Sequence, residues 1–142
     1  QMLKAVGVTY VIVGHSERRE GLGETDAILT NKAELAINHG FQIIYCVQDE
    51  QTFIPKGITI AAYEPPAAIG SGNPDTPENA NAVAGAIIAK YGDLRVLYGG
   101  SVKPDNVSAF VEQPHIGGVL VGGASLKGDV FGQLAHNAFI QA

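Results

Sequence analysis

Apolar positions along this chain alternate between two rhythms. Short continuous runs rich in β-branched and aromatic residues occur at Thr9 to Val13 (TYVIV), Phe41 to Val47 (FQIIYCV), Ile58 to Tyr63 (ITIAAY), Arg95 to Tyr98 (RVLY) and Gly118 to Val121 (GVLV). Each predicts a strand, and TYVIV reads as one buried on both faces. Between the runs the spacing lengthens to that of a helix. Leu29, Ala33, Ala36 and Ile37 follow a capping Thr25 and stop at Gly40. Ala80, Val83, Ala84, Ile87, Ile88 and Tyr91 follow Thr76-Pro77-Glu78, a strong helix start, and end at Gly92. Val107, Phe110 and Val111 lie between Pro104 and Pro114, and a last stripe carries Val130, Phe131, Leu134, Ala138 and Phe139. From Gln48 to Gly57, Pro55 and Gly57 leave room for one helical turn at most.

Strand and helix therefore alternate five times, with a shrunken second helix. That order implies a parallel sheet with right-handed crossovers. A barrel and a doubly wound sheet both satisfy it. Every polar or glycine-rich motif follows a strand directly, and in parallel α/β folds sites are built on that face.

Three groups there carry candidate chemistry. His15 follows the first strand and precedes the charged turn Glu17-Arg18-Arg19. It reads either as a neutral electrophile or acid at a helix N-terminus, where the dipole disfavours imidazolium, or as a hydrogen-bonded strand-end histidine. Glu17, Arg18 and Arg19 read as ion pairs that hold the loop. Glu64 ends the third strand, ahead of Pro65-Pro66 and Ile69-Gly70-Ser71-Gly72. A carboxylate followed by stiff and free hinges reads as a general base under a closing lid, or more plainly as a loop glutamate capping backbone. Finally, Gly70-Ser71-Gly72, Gly99-Gly100-Ser101 and Gly122-Gly123 could converge backbone N–H groups on one anion, which needs no lysine.

Composition narrows the classes. The 142 residues suit one domain, and 46% apolar content with 16% charged argues against disorder. A net charge of −5 argues against nucleic acid or an anionic membrane as partner. No apolar run approaches the ~18 residues that span a bilayer. The first residues carry no recognisable secretory signal, and the lone Cys46 excludes an internal disulfide, so the cytoplasm is the expected compartment. Cys46 reads as a buried strand residue, not a nucleophile. His39, His115 and His136 lack metal-ligand partners at suitable spacing, so no metal is expected.

Taken together, YVIVGHSERR (Tyr10 to Arg19), YEPPAAIGSG (Tyr63 to Gly72), YGGSVKPDN (Tyr98 to Asn106) and GVLVGGASL (Gly118 to Leu126) closely resemble the triose-phosphate isomerases. The lid motif resembles the shorter archaeal-type version. The resemblance implies an α/β fold, a partial TIM barrel of five βα units with parallel strands. It implies an isomerase of glycolysis and gluconeogenesis, interconverting dihydroxyacetone phosphate and glyceraldehyde 3-phosphate without metal or organic cofactor. Glu64 would shuttle the proton and neutral His15 would polarise the carbonyl. Gly70, Ser101, Gly122 and Gly123 would hold the substrate phosphate. Ser16 and Glu17 would support the catalytic pair, and Pro65 to Gly72 would be the lid that excludes water.

A complete (β/α)8 barrel takes about 250 residues. By resemblance this chain supplies units four to eight as a single partial domain over 1–142, with Gln1 to Gly7 as the tail of the third helix. The family's Asn-x-Lys after strand one has no counterpart here, which predicts impaired catalysis by this chain alone; losing one such electrostatic group costs about 10²–10³ in rate. Five strands leave bare edges. The expected remedy is a homo-oligomer, or a chain supplying units one to three. The alternatives are a self-assembling partial barrel, natural or engineered, with little or no isomerase activity, and a phosphate-binding module without turnover.

Overall fold

The structure, a computed structural model, describes residues 2–139. A short helix α1 (Met2–Ala5) leads into strand β1 (Tyr10–Val13), then helices α2 (Ser16–Leu22) and α3 (Asp26–Asn38). Strands β2 (Gln42–Val47) and β3 (Ile60–Tyr63) follow, joined without a helix. A 3-10 turn at Pro66–Ala68 precedes helix α4 (Pro77–Tyr91), strand β4 (Arg95–Tyr98) and helix α5 (Val107–Val111). A second 3-10 turn, Gly123–Leu126, leads to helix α6 (Gly128–Phe139). The helix starts obey the capping logic of the sequence. Thr25 Oγ1 accepts from the Ile28 N–H and Thr76 Oγ1 from the Asn79 N–H, with Pro77 in the first turn.

The strands form one parallel sheet in the order β1-β2-β3-β4. Its register sorts side chains into two faces, because successive residues of a strand point oppositely. Val13, Tyr45, Ala61 and Val96 line up on the outer face, as do Val47, Tyr63 and Tyr98. All of these are buried, together with Leu29 and Ala33 of α3, Ala84 and Ile87 of α4, and Val107 and Phe110 of α5. The Tyr98 and Phe110 rings stack with centroids 4.0 Å apart. The inner face runs through Ile12, Ile44, Ile60 and Arg95, with Ala62 beside Cys46 and Leu97.

Four expectations need correction. First, β1 is not buried on both faces. Tyr10 and Ile12 remain 47% and 49% exposed, because no described element packs over the inner face. Second, the fifth strand is reduced to one parallel bridge, Tyr98 to Val119. The chain still runs alongside β4, with the Tyr98 N–H donating to Gly118 O and the Leu120 N–H to Tyr98 O. Gly118, at φ +149°, turns the backbone out of strand geometry before a second pair can form. Third, the predicted turn after His15 is a seven-residue helix, α2. Fourth, the region from Gln48 to Gly57 forms turns and no helix. The Asp49 carboxylate accepts from the Gln51 and Thr52 N–H groups and from the Thr52 hydroxyl, which closes a tight turn. The last turn of α4 holds this stretch: the Tyr91 hydroxyl donates to Thr52 O and accepts from the Ile54 N–H, and Lys90 Nζ reaches Glu50 O.

The apolar stripe of α6 is also less inward than its spacing suggests. Leu134 is buried, but Phe131 and Phe139 are 43% and 78% exposed.

Candidate active site

The strand C-terminal ends open into a cavity of about 600 Å³. His15, Glu17, Glu64, Gly70, Ser101, Gly122 and Gly123 all border it. Ser16, the remaining candidate, is buried beside Glu64. Eight candidates named from sequence thus meet at one place.

Glu64 follows β3 on the inner side of the sheet and is only 1% exposed. Its Oε2 accepts from the Ser16 N–H at 3.2 Å, and its Oε1 lies 3.2 Å from His15 Nε2. Burial raises the carboxyl's pKa above that of an ordinary glutamate. His15, the Ser16 N–H and Cys46 oppose that rise, and Glu17 adds to it. The result is a carboxylate that holds its proton more strongly than one in water, yet keeps hydrogen-bond donors for the ionised form. Cys46 is itself buried, with its thiol pKa pushed far up by desolvation and by Glu64, so it is no thiolate nucleophile.

His15 stands at the N-cap of α2, and its Nδ1 accepts from the Glu17 N–H at 3.4 Å. That bond assigns the ring proton to Nε2, the nitrogen facing Glu64 and the cavity. Ser16 and Glu17 therefore support the pair through backbone N–H groups and not through their side chains. The Ser16 hydroxyl is buried without a partner, and the Glu17 carboxylate is exposed at the cavity. Of the three charges expected to pair, Arg18 bonds Glu24 and Arg19 bonds Asp26 at 2.9 Å. Arg19 also donates to Gly14 O and Cys46 O, tying the ends of β1 and β2 together. Glu24 further takes Lys32, and the bonds from Arg18 and Lys32 hold its carboxyl below the usual range.

The stretch from Pro65 to Gly72 folds back over the end of β4. Ser101, a non-glycine residue at φ +52°, donates its hydroxyl to Ala68 O at 2.7 Å and accepts from the Gly72 N–H at 3.1 Å. The Tyr98 hydroxyl accepts from the Asp75 N–H at 2.8 Å, while the Tyr63 hydroxyl donates to the Asp75 carboxylate. Sequence reasoning missed these tyrosines as lid fasteners, since both read simply as strand residues. Gly99 and Gly100 were seen only as part of an anion nest. A Cβ on Gly99 would sit 3.1 Å from Glu64 Cγ, and one on Gly100 would sit 2.9 Å from Ala68 Cβ. Their bareness admits the base and the lid. Gly122 and Gly123 border the cavity where the fifth segment turns into its 3-10 helix.

Among the described residues, no group of three His, Cys, Asp or Glu side chains is placed to hold a metal. No helix among them is long and apolar enough to cross a membrane.

Residues 1–138 match the triosephosphate isomerase family. The chain belongs to that family. It is 43% identical to a triosephosphate isomerase of Acaryochloris marina over 95% of this chain and 65% of the relative. It is 40% identical to one of Caldanaerobacter subterraneus over 95% of this chain and 67% of the relative. A third, from Herpetosiphon aurantiacus, is 42% identical over 89% of this chain and 64% of the relative. The chain thus spans about two thirds of the length of these curated triosephosphate isomerases. The barrel resemblance in the sequence and the parallel sheet in the structure agree with that assignment, the described residues making up part of a barrel.

Proposed function

We propose that this chain carries the proton-transfer and phosphate-binding residues of a triose-phosphate isomerase, interconverting dihydroxyacetone phosphate and glyceraldehyde 3-phosphate. The observation that carries the reading is the buried Glu64 carboxylate, 3.2 Å from His15 Nε2 at the edge of a glycine-walled cavity. Glu64 would take a proton from the carbon next to the substrate carbonyl and return it to the neighbouring carbon. His15, with its proton on Nε2, would donate to the carbonyl oxygen as negative charge develops there. This base and neutral imidazole form the pairing familiar from the family. The burial of Glu64 supports its role, because charge interactions strengthen as water is excluded.

Backbone N–H groups at Gly70, Ser101, Gly122 and Gly123 would bind the phosphate. The Ser101 hydroxyl already holds the lid, so its contribution to an anion would come from its N–H. The residues from Pro65 to Gly72 would close over the substrate and keep the enediolate from losing phosphate to water. The chemistry asks for no metal and no organic cofactor. A cytoplasmic setting, with no nucleic acid or membrane partner, follows from the same reading.

The unit is a single partial domain of five βα segments, whose sheet works once completed by a second copy or by a chain carrying further βα units. Tyr10 and Ile12, half exposed on an apolar face, support that need for cover. The same observation favours a second reading, in which the chain is a self-assembling partial barrel with little turnover. A coupled isomerase assay on the purified chain, with Glu64→Gln as control, tests the first. Turnover above the solution rate that falls about 10²–10⁴-fold in the variant supports it. Equal rates in both proteins refute it. Light scattering tests the need for cover: a well-folded, monodisperse monomer at micromolar concentration would remove it.

A further inference from the structure

Charged groups of both signs border the cavity. Glu64 and Glu17 lie beside His15. Lys103 and Lys127 border the cavity too, each following a glycine-rich turn, Gly99-Gly100-Ser101 and Gly122-Gly123 respectively. Neither lysine makes an ion pair with a carboxylate among the described residues, whereas Arg18, Arg19 and Lys32 all do. Both are exposed, and the backbone of each is pinned. The Lys103 N–H donates to Asn106 Oδ1 at 2.8 Å, and Asn106 Nδ2 donates to Ser101 O, so one side chain ties Lys103 to Ser101. Lys127 ends the Gly123–Leu126 turn and accepts the Phe131 N–H at the start of α6. A cation at a helix's positive end is locally unfavourable. Asp129 in the first turn offsets part of this, but it is not among the described residues around the cavity.

We infer that Lys103 and Lys127 are the cationic partners of the substrate's phosphate dianion, drawing it to the glycine-rich turns and so pointing the substrate's carbonyl carbons at Glu64. The inference rests on the proposed function for its ligand class. It adds two binding residues that the glycine turns do not require. Ammonium groups that follow the glycine turns, with no carboxylate paired to them among the described residues, favour the phosphate of a small phosphorylated carbonyl compound at those turns and away from Glu64. Reversed, the phosphate would meet Glu64. Because both lysines are exposed, their attraction acts at long range and weakens with salt.

Inorganic phosphate, titrated calorimetrically into the 142-residue chain at low salt, is the direct probe. Lys103→Gln and Lys127→Gln should each raise its Kd about threefold, and the double variant about tenfold. The double variant should also show a flatter dependence on salt, with circular dichroism and melting temperature unchanged. Lys→Arg variants should restore binding. Lys56→Gln, which removes the same charge away from the cavity, should leave the Kd alone. An unchanged Kd in the double variant, an equal loss with Lys56→Gln, or no phosphate binding by the parent chain would each overturn the inference. Turnover with an unchanged KM in the double variant would sink the lysine roles and spare the isomerase reading. Lysine-dependent phosphate binding without turnover would do the reverse.

Discussion

The two faces of one sheet have opposite characters. On the outer face, Tyr45, Val96 and Tyr98 are buried in one core with residues of α3, α4 and α5. On the inner face, Tyr10 and Ile12 stand half open. Yet the polar apparatus at the strand ends is assembled to hydrogen-bond accuracy. The lesson is that site geometry here depends on the sealed face and on local turns. The position of Glu64 comes from β3, from the Ser16 N–H and from the bareness of Gly99, all contacts within this chain.

The sharpest break of that contrast is a matched pair of substitutions. Phe110→Ala, which removes the ring stacked on Tyr98, should cost about 3–5 kcal/mol in denaturant melts. Ile12→Thr should change the stability of the monomer by no more than about 0.5 kcal/mol, while weakening self-association measured by sedimentation. Similar costs for both would mean that the inner face is packed in solution.

A smaller effect separates lid from core. Ser101→Ala removes one donor and one acceptor from the lid and should cost about 1 kcal/mol. It should also speed protease cleavage within residues 65–73 far more than elsewhere. Uniform acceleration along the chain would show that Ser101 stabilises the sheet and not the lid.

The smallest and most diagnostic effect concerns pH. Burial raises the Glu64 pKa, so the native state retains a proton that the unfolded chain has already lost. Native stability therefore falls as pH rises from the ordinary glutamate value of about 4.3 through the raised one. Glu64→Gln removes that penalty. It should melt a few degrees higher than the parent at pH 7, with the gap closing below about pH 4. A gap that persists in acid would mean that the glutamine stabilises by packing alone.

Much of this was legible in the sequence, for identifiable reasons. Glu64, its prolines and the glycine run are neighbours in the chain, so a base-and-lid pattern shows itself locally. Thr76-Pro77-Glu78 announces α4 equally plainly. The extent of helix α2 was hidden because SERREGL has no apolar stripe; it is held by the His15 cap and by Arg18 reaching Glu24. The fifth strand is shorter than its apolar run suggests because the sequence shows Gly118 but not the φ of +149° that it adopts. The tasks of Tyr98 and Ser101 were invisible for another reason. Their partners, Asp75 and Ala68, lie 23 and 33 residues away, and only the folded sheet brings them together.

One clasp has a consequence for how the chain tolerates cutting. The stretch between β2 and β3 has no helix; the Tyr91 hydroxyl and Lys90 ammonium grip it through the main chain of Glu50, Thr52 and Ile54, while the Asp49 and Thr52 side chains close its turn. Substitution or protease cleavage at the exposed Gln51 should therefore leave the pieces held together. β2 and β3 remain zipped from Ile44 to Val47 on one strand and from Ile60 to Tyr63 on the other. The chain thus has a built-in seam, where two fragments made apart could be mixed to rebuild the cavity around Glu64.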